Sequence, residues 1–481
     1  MHPLQTHPHW PLWLNPQRRR SSRQGSAQTE LWQMTNAQPR TAFERDYDRV
    51  LFSSPVRRMA DKTQVFPLER GDTARTRLTH SFEVSNLARS VGIDLVFNRN
   101  MAQSCPDACR DVPALLATIG LAHDLGNPPF GHQGEMAIAR WFAANQGVLS
   151  DPALTPAMQQ DFLRFEGNAQ TLRLLTQLQL INDSYGLNLT RGSLAALIKY
   201  PTASDQIDSG QITRKKHGYF QSEQAIVDDI WNAVGLEHGQ RHPLTWLMEA
   251  CDDIAYNVLD AEDAVKKGLL SFSDTLAFLE HEAGDDAVTR AVCQAAREEH
   301  QAYRRERLSP AELNDISMQT FRIRAIGSLM SVVADTFSNR FAAIVSGQLQ
   351  QSLLADAPGG RLLAALKKSN RQHAYQHRSV LRVELTGFSV IHGLMDAFWY
   401  AIRTREHQDP ASPRSTPLAE YIFERISENY RRVFLSEQNP MPLRYRELQL
   451  VTDMVSGMTD RYALRLFDEF IEAGFKPTTR L

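Results

Sequence analysis

The dipeptide His123-Asp124 places two metal-binding side chains at one point of the chain. Adjacent residues on a helix do not share a face, so both can bind one cation only near a helix end. The apolar run at residues 114–122 predicts a buried helix, and Gly126 with the prolines after it predicts where that helix ends. Taken alone, the dipeptide has an ordinary alternative: the histidine caps the helix and the aspartate is solvated.

Other ligand-type residues lie where helices are expected. Arg77 and His80 are one turn apart in a stretch whose apolar residues recur at helical spacing. Farther along, Asp252, Tyr256 and Asp260 are spaced by four residues, which places them on one stripe of a helix. Imidazole and carboxylate donors suit Mg²⁺, Mn²⁺ or iron. Each residue alone is commonly structural, but together they indicate a metal-centred hydrolase.

The order His80, His123-Asp124, Asp252 resembles the H…HD…D metal signature of the HD-domain phosphohydrolases. Among these, the chain resembles the deoxyguanosine triphosphate triphosphohydrolases (dGTPases), and the resemblance covers about residues 43–463. Supporting sequence blocks begin at Arg57, Phe165, Leu197, Lys216 and Ser456.

The resemblance implies one divalent cation, Mg²⁺ or Mn²⁺ with Fe or Co as alternatives. Its ligands would be His80, His123, Asp124 and Asp252. Asp252 is preferred over Asp253 because the family pattern places a tyrosine four residues after the ligand, and Tyr256 fits. Such a cation neutralises an α-phosphate oxygen and lowers the pKa of a bound water.

By the same resemblance, His132 and Glu135 act at the scissile phosphate. They follow the Pro-Pro turn and are one helical turn apart. The histidine is the expected proton donor to the departing 5′-oxygen, because its unperturbed pKa of about 6.5 is close to working pH. Glu135 would orient the histidine or the attacking water. The sequence leaves open which of the two residues touches the nucleophile.

The remaining matches concern the nucleotide. A triphosphate carries nearly four negative charges and requires cations nearby. The resemblance implies that the phosphate tail is bound by Arg77, Lys199 and Lys216, with Asn168 and Tyr200 close to it. It implies that the deoxyribose contacts Gln64, Tyr256 and Asp260. A tyrosine packed where a 2′-hydroxyl would lie rejects ribonucleotides by steric clash.

Base recognition is less well defined by the sequence. Many relatives in the superfamily have a second histidine where this chain has Asn127, which we interpret as a mark of the dGTPase branch that favours dGTP. Residues 383–394 resemble the family stretch near the guanine pocket, and Arg431 and Arg432 can supply a basic group. Core packing and a surface arginine pair explain these residues equally well.

Composition predicts a cytoplasmic enzyme. The net charge is −2, so nothing global favours a nucleic-acid or membrane partner. No apolar run reaches the roughly twenty residues that span a bilayer. Of four cysteines, Cys105 and Cys109 lack a second pair that would complete a zinc site. Relatives imply a homo-oligomer, and contact with single-stranded DNA stays open.

We predict a mostly α-helical HD-domain fold with little or no β-sheet. Residues 1–40 are rich in Pro, Gln and Arg and are predicted to be a disordered basic tail, with Met34 as an alternative start. Residues 41–270 are predicted to form the catalytic core, and residues 271–481 a helical region that completes the nucleotide pocket. Residues 379–385 alone show strand-like alternation.

Three functions follow. The leading one is hydrolysis of dGTP, or other dNTPs, to the deoxynucleoside and inorganic triphosphate. A second is an HD-domain phosphohydrolase acting on monophosphates, alarmones or cyclic dinucleotides, against which Lys199 and Lys216 argue. The third is a nucleotide sensor without turnover, against which the retention of the ligand set with His132 and Glu135 argues.

Overall fold

A computed structural model describes residues 3–20, 39–65, 75–179 and 185–477. Within these ranges the chain consists of helices joined by loops, with three isolated bridges and no β-strand. The predicted mostly α-helical class is therefore confirmed. No helix in the described ranges is long and apolar enough to cross a membrane. Met34 lies outside the described residues.

The chain forms two compact units, each assembled from separate stretches of sequence. The first unit contains Met1–Pro11, Phe82–Gly120 and His242–Arg382. The second unit contains Leu12–Ser81, Leu121–Arg241 and Val383–Leu481. The units interleave along the chain, whereas the domains predicted from sequence follow one another. The assignment of residues 41–270 and 271–481 to catalytic and pocket-completing roles stays a prediction.

Long helices build the first unit around a core that includes Phe321, Phe337 and Leu329. These helices have apolar faces. At their N-terminal ends, serine, aspartate or histidine side chains accept hydrogen bonds from free backbone N–H groups. The helices that lie wholly in this unit are Pro3–Thr6, Pro243–Lys266, Phe272–Ala283, Ala287–Tyr303, Pro310–Val345 and Gly360–Ser369, followed by a π-helical turn at Asn370–Tyr375.

Residues 3–20 are folded, which corrects the disorder predicted for this part of the N-terminal segment. Trp10 and Trp13 are buried. The Trp10 ring stacks on Phe341 with centroids 5.6 Å apart. The composition of the segment is polar and proline-rich, but each tryptophan buries a large apolar area and so anchors the chain around it.

The second unit has a core of aromatic and aliphatic side chains around Trp141, Phe398, Tyr445 and Phe470. Its α-helices are Ala42–Leu51, Ser54–Arg58, Gly131–Ala144, Pro156–Leu163, Gly167–Arg173, Arg191–Leu197, Gln224–Val234, Pro417–Glu424, Glu428–Leu435, Leu443–Ser456 and Asp460–Glu472. Shorter turns are Met59–Asp61, Gln146–Leu149, Leu174–Leu178, Ser204–Gln206 and Gln221–Glu223.

Helices Arg77–Phe97, Ala108–Ala122, Trp10–Trp13 and Arg378–Arg403 run from one unit into the other. The last of these corrects the strand-like alternation noted at residues 379–385. Leu381 and Leu385 are one helical turn apart and both exposed, whereas the buried side chains farther along this helix, such as Ile391 and Met395, recur every three or four residues. The helical period of this longer apolar face outweighs the local alternation.

Candidate metal centre and active site

Two closely packed helices carry the histidines of the predicted metal site. Helix Arg77–Phe97 contains His80 in its first turn. Helix Ala108–Ala122 ends directly before His123, whereas the sequence predicts an end just past the His123-Asp124 pair, and the pair lies in the turn that follows the helix. A Cβ added at Gly120 would lie 2.8 Å from the Cα atom of Ser85, so the helix backbones meet where only glycine fits. This close approach holds the two helix ends near each other.

The His80 and His123 side chains form an imidazole pair. Their ring centroids are 5.5 Å apart with an interplanar angle of 67°. A ring nitrogen of His80 and one of His123 lie within 4.8 Å of each other. An imidazole nitrogen binds Zn²⁺ at about 2.0–2.1 Å, so two ring nitrogens this close could hold one divalent ion between them. The imidazole pair therefore fits a metal, without indicating which one.

Asp124 is held by two donors in the second unit. Arg77 Nη1 lies 2.5 Å from Asp124 Oδ2, and Asn127 Nδ2 donates to Oδ1 at 2.7 Å. Gly131 has φ of +59°, and a Cβ there would lie 2.7 Å from Arg77 Nη2. The glycine thus allows the guanidinium to approach. The structure pairs a predicted phosphate ligand, Arg77, with a predicted metal ligand, and both roles stay predictions.

His132 and Glu135 interact directly on helix Gly131–Ala144. His132 Nδ1 lies 3.0 Å from Glu135 Oε2, and the histidine side chain is 70% exposed while that of the glutamate is 10% exposed. This hydrogen bond raises the pKa of His132. The helix begins after Phe130, which adopts a left-handed conformation with φ of 61°. That tight turn follows the Pro-Pro pair and places the histidine at the helix start.

Glu135 is ionised despite its burial. Desolvation favours its neutral form, but the hydrogen bond with His132, the charge of Lys216 and the Gly167 N–H together lower its pKa. Gly167 N donates to Glu135 Oε1 at 2.8 Å. A carboxylate that stays charged can hold the imidazole of His132 in its protonated form.

A second ion pair joins the predicted phosphate ligands. Lys216 Nζ lies 2.8 Å from Glu166 Oε2, and Asn168 Nδ2 donates to Glu166 Oε1 at 2.6 Å. Burial lowers the pKa of Lys216, but Glu166 and Glu135 raise it above its ordinary value. The ammonium of Lys216 is therefore charged at neutral pH. Glu166 was part of a recognised sequence block, but nothing in its spacing indicated this role.

Lys216 lies on a loop between Tyr200 and Gly218 that contains one short turn at Ser204–Gln206. Tyr200 is buried under two cations: Lys199 Nζ lies 6.0 Å and the Arg241 guanidinium 5.7 Å from its ring centroid. Lys199 and Tyr200 are neighbours in the sequence, and their contact with a phosphate tail stays a prediction. Arg241 was missed, because it lies outside the recognised sequence blocks.

Three predicted residues belong to the first unit. Asp252, Tyr256 and Asp260 lie on helix Pro243–Lys266, as their spacing predicts. Tyr375, which the sequence did not indicate, donates to Asp260 Oδ2 at 2.5 Å, and its ring centroid is 5.9 Å from that of Tyr256. Burial and the neighbouring carboxylate raise the pKa of the Tyr375 phenol, so it stays a donor. The role of Asp252 as a metal ligand stays a prediction.

Lys62 forms hydrogen bonds to the turn that follows His123-Asp124. Its buried Nζ atom donates to Asn127 O at 2.5 Å and to Ser456 O at 2.8 Å. Burial lowers the pKa of Lys62 to about 7. Nearby, Gln64 is half-buried, and its side-chain oxygen has no hydrogen-bond partner within the described part of the chain. Lys62 lies in the same sequence block as Gln64, but the sequence did not distinguish its role.

Residues 383–394 lie on helix Arg378–Arg403 and pack against the start of helix Gly131–Ala144. A Cβ at Gly387 would meet the Phe130 ring at 2.5 Å, and the Arg140 guanidinium lies 5.6 Å from the Phe388 centroid. A packing role is thus observed, and a guanine-binding role stays a prediction. Arg431 forms an ion pair with Glu424 at 2.5 Å.

Residues 77–149 match the HD domain family. This segment contains the imidazole pair, Asp124, His132 and Glu135. The whole chain is similar to a deoxyguanosinetriphosphate triphosphohydrolase-like protein of Listeria monocytogenes, with 37% identity over 95% of this chain and 98% of the relative. It is 34% identical to a protein of the same description from Pseudomonas aeruginosa, over 89% and 93% of the two chains. It is 31% identical to the deoxyguanosinetriphosphate triphosphohydrolase of Salmonella paratyphi A, over 89% and 92%.

Proposed function

The chain belongs to the deoxyguanosinetriphosphate triphosphohydrolase family of HD-domain phosphohydrolases, and from this premise we propose that it hydrolyses dGTP to deoxyguanosine and inorganic triphosphate. Water adds to the α-phosphorus and the bond from that phosphorus to the 5′-oxygen breaks. The observation that carries the proposal is the presence of the imidazole pair and the His132–Glu135 hydrogen bond within the same unit.

The residues proposed to hold the divalent cation are His80, His123, Asp124 and Asp252. A bound cation supplies charge neutralisation at the α-phosphate and lowers the pKa of a water. Imidazole and carboxylate donors suit Mn²⁺ and Mg²⁺ as well as Fe and Co, so the choice of metal belongs to experiment. Arg77 and Asn127 orient Asp124 through their hydrogen bonds to its carboxylate.

His132 is the proposed general acid. Glu135 accepts the hydrogen bond from Nδ1, which leaves the Nε2 proton available for the departing 5′-oxygen. The hydrogen bond to Glu135 raises the pKa of His132, which favours the protonated ring that a general acid requires. The exposed His132 side chain can contact a substrate. The buried Glu135 side chain could contact a substrate only if the His132 side chain moved away. This difference in exposure favours the histidine over the glutamate as the group that touches substrate.

The proposed phosphate contacts are Arg77, Asn168, Lys199, Tyr200 and Lys216. Lys216 is charged and partly exposed. Its ammonium forms an ion pair with the Glu166 carboxylate when no substrate is present. A triphosphate brings more negative charge than one carboxylate and can compete for the same ammonium. The proposed deoxyribose contacts are Gln64, Tyr256 and Asp260, with Tyr375 holding Asp260.

The test is a product analysis on the purified protein with dGTP and either Mg²⁺ or Mn²⁺. Deoxyguanosine and inorganic triphosphate in equal amounts are expected, with no pyrophosphate or dGMP. A panel of the four dNTPs, dGMP and a cyclic dinucleotide then defines the substrate class. Release of pyrophosphate or monophosphate, or turnover of the last two compounds alone, would refute the proposal. Homo-oligomer assembly, contact with single-stranded DNA and a cytoplasmic location stay predictions.

A further inference from the structure

The buried side chain of His217 lies between two backbone carbonyl groups. Its Nε2 atom is 2.7 Å from Arg164 O and its Nδ1 atom is 3.1 Å from Tyr219 O, and the residue is 1% exposed. A carbonyl oxygen only accepts hydrogen bonds, and a neutral imidazole carries one N–H. A neutral ring would therefore direct a lone pair at one carbonyl, whereas a doubly protonated ring donates to both.

The surroundings of the ring favour a positive charge. Asp161, on helix Pro156–Leu163, interacts electrostatically with His217. Burial raises the pKa of this aspartate, and the interaction with His217 opposes that rise without reversing it. The Asp161 carboxylate accepts hydrogen bonds from three donors, which fix it in place. These donors are Ser204 Oγ at 2.6 Å, Gln221 N at 2.8 Å and the hydroxyl of Tyr445, on helix Leu443–Ser456, at 2.5 Å. Other charged groups lie near this region. Arg164 Nη1 donates to Ser204 O at 3.2 Å, Asp205 accepts from Gln221 Nε2 at 3.3 Å, and Lys216 and Glu166 form an ion pair with each other.

Two consecutive residues of the loop thus bind one short segment of chain. Lys216 forms an ion pair with Glu166, and His217 bonds to the carbonyl of Arg164. The same segment continues into Gly167, whose N–H donates to Glu135. The loop that carries the proposed phosphate ligand and the segment that binds the proposed catalytic glutamate are therefore linked by the Lys216–Glu166 ion pair and by the His217 ring.

We propose that His217 is a positioning residue that acts as a buried imidazolium. It donates to Arg164 O, which holds the loop of residues 200–218 against residues 164–167, and to Tyr219 O, two residues along its own segment. It thereby sets the position of Lys216 for a triphosphate and of Gly167 for Glu135. His217 does not touch substrate in this account. The inference rests on the proposed function for its substrate, but the protonation of the ring can be tested without turnover.

The variant His217→Gln tests the link. The glutamine amide has its donors on one nitrogen, and its other polar atom is an oxygen that cannot donate to the second carbonyl. We expect inorganic triphosphate to bind about tenfold more weakly, as loss of a hydrogen bond from a charged donor implies. The KM for dGTP should rise by a similar factor.

A matched control is His300→Gln. His300 lies on helix Ala287–Tyr303, where its Nδ1 bonds to the hydroxyl of Ser317, and it belongs to none of the proposed sites. Both variants should lose some thermal stability, but only His217→Gln should lose affinity for triphosphate. If His217→Gln lowers the melting temperature and binds triphosphate as tightly as the wild type does, the residue is merely structural and the proposal is wrong.

Protonation is measured directly by solid-state ¹⁵N NMR on protein labelled at its histidine rings. The signals of His217 are assigned by their loss in His217→Gln. Two protonated ring nitrogens at neutral pH are expected, and a single N–H would overturn the proposal whatever the enzyme hydrolyses. Conversely, a wild-type protein that shows the imidazolium but releases no triphosphate from any dNTP would refute the proposed function while leaving the protonation state established.

Discussion

His132 Nδ1 and Glu135 Oε2 lie 3.0 Å apart on adjacent turns of one helix, with the imidazole exposed and the carboxylate buried. The two pKa shifts are those of an ion pair: the hydrogen bond raises the pKa of His132, and the same bond helps to lower the pKa of Glu135 against the effect of burial. The pair therefore holds a proton on the side chain that can reach a substrate. Four predictions depend on this pair, its supporting contacts or the adjacent metal site.

Replacing His132 by asparagine removes the proposed proton donor while keeping a polar side chain. We expect kcat to fall by about 10²–10⁴-fold, the usual contribution of general acid–base catalysis. Steady-state kinetics with dGTP measure the effect. Metal content and melting temperature should be unchanged, and a loss of metal in this variant would contradict the division of roles.

Replacing Glu135 by glutamine changes the pH dependence. Protonated His132 is the active form, so activity is present below the pKa of His132 and is lost as pH rises through it. Because Glu135 raises that pKa, the glutamine variant should lose activity at a lower pH than the wild type. A pH profile of kcat measures the shift, and an alkaline limb that moves upward or stays in place would be evidence against His132 as the acid.

Gly167→Ala should impair catalysis without contacting substrate. A Cβ there would lie 2.6 Å from Glu135 Oε1 and 2.2 Å from Asn127 Oδ1, so both side chains must move. We expect kcat/KM for dGTP to fall by roughly a hundredfold, as a displacement of about 1 Å can cause. Gly147→Ala is the matched control, since nothing lies within 4 Å of its added Cβ. Equal activities of the two variants would contradict the proposed support of Glu135.

His123→Ala should abolish metal binding, because it removes one of the two imidazoles that fit a shared cation. Elemental analysis of the purified protein, followed by titration with Mn²⁺, measures the metal bound per chain. The control His281→Ala removes an exposed histidine on helix Phe272–Ala283 and should bind metal as the wild type does. Retention of stoichiometric metal by His123→Ala would remove this residue from the ligand set.

Arg173→Met should destabilise the fold strongly. The buried Arg173 guanidinium lies 2.7 Å from Asp453 Oδ2 and 2.9 Å from Glu223 Oε1, and its removal leaves two buried carboxylates without their cation. We expect the free energy of unfolding to fall by about 3–5 kcal/mol. Urea unfolding provides the measurement. The surface variant Arg290→Met should unfold as the wild type does, and equal effects would argue against the buried network.

Much of the fold and part of the site could be predicted from the sequence because both depend on local periodicity. The spacing of Asp252, Tyr256 and Asp260 placed them on one helix, and the apolar run before His123 gave the end of another. Family resemblance supplied the assignment of roles, which spacing alone leaves open. The sequence did not predict the fold of residues 3–20. The composition of this segment does not show that Trp10 packs on a residue as distant in sequence as Phe341.

Contacts between segments that are distant in sequence could not be predicted either. Glu166 meets Lys216, and Tyr375 meets Asp260, across separations that no periodicity encodes. The same is true of His217, whose two hydrogen bonds require the loop and the segment at residue 164 to be folded against each other. Such groups become visible only when tertiary structure shows which donor faces which acceptor.

The most direct test of the central claim is hydrolysis of dGTP in water enriched in ¹⁸O, followed by mass spectrometry of both products. Attack at the α-phosphorus predicts one ¹⁸O atom in the released triphosphate and none in deoxyguanosine. Label in the deoxyguanosine would mean attack at the 5′-carbon, and label in pyrophosphate or monophosphate would mean cleavage elsewhere along the chain. Either result would contradict the proposed reaction.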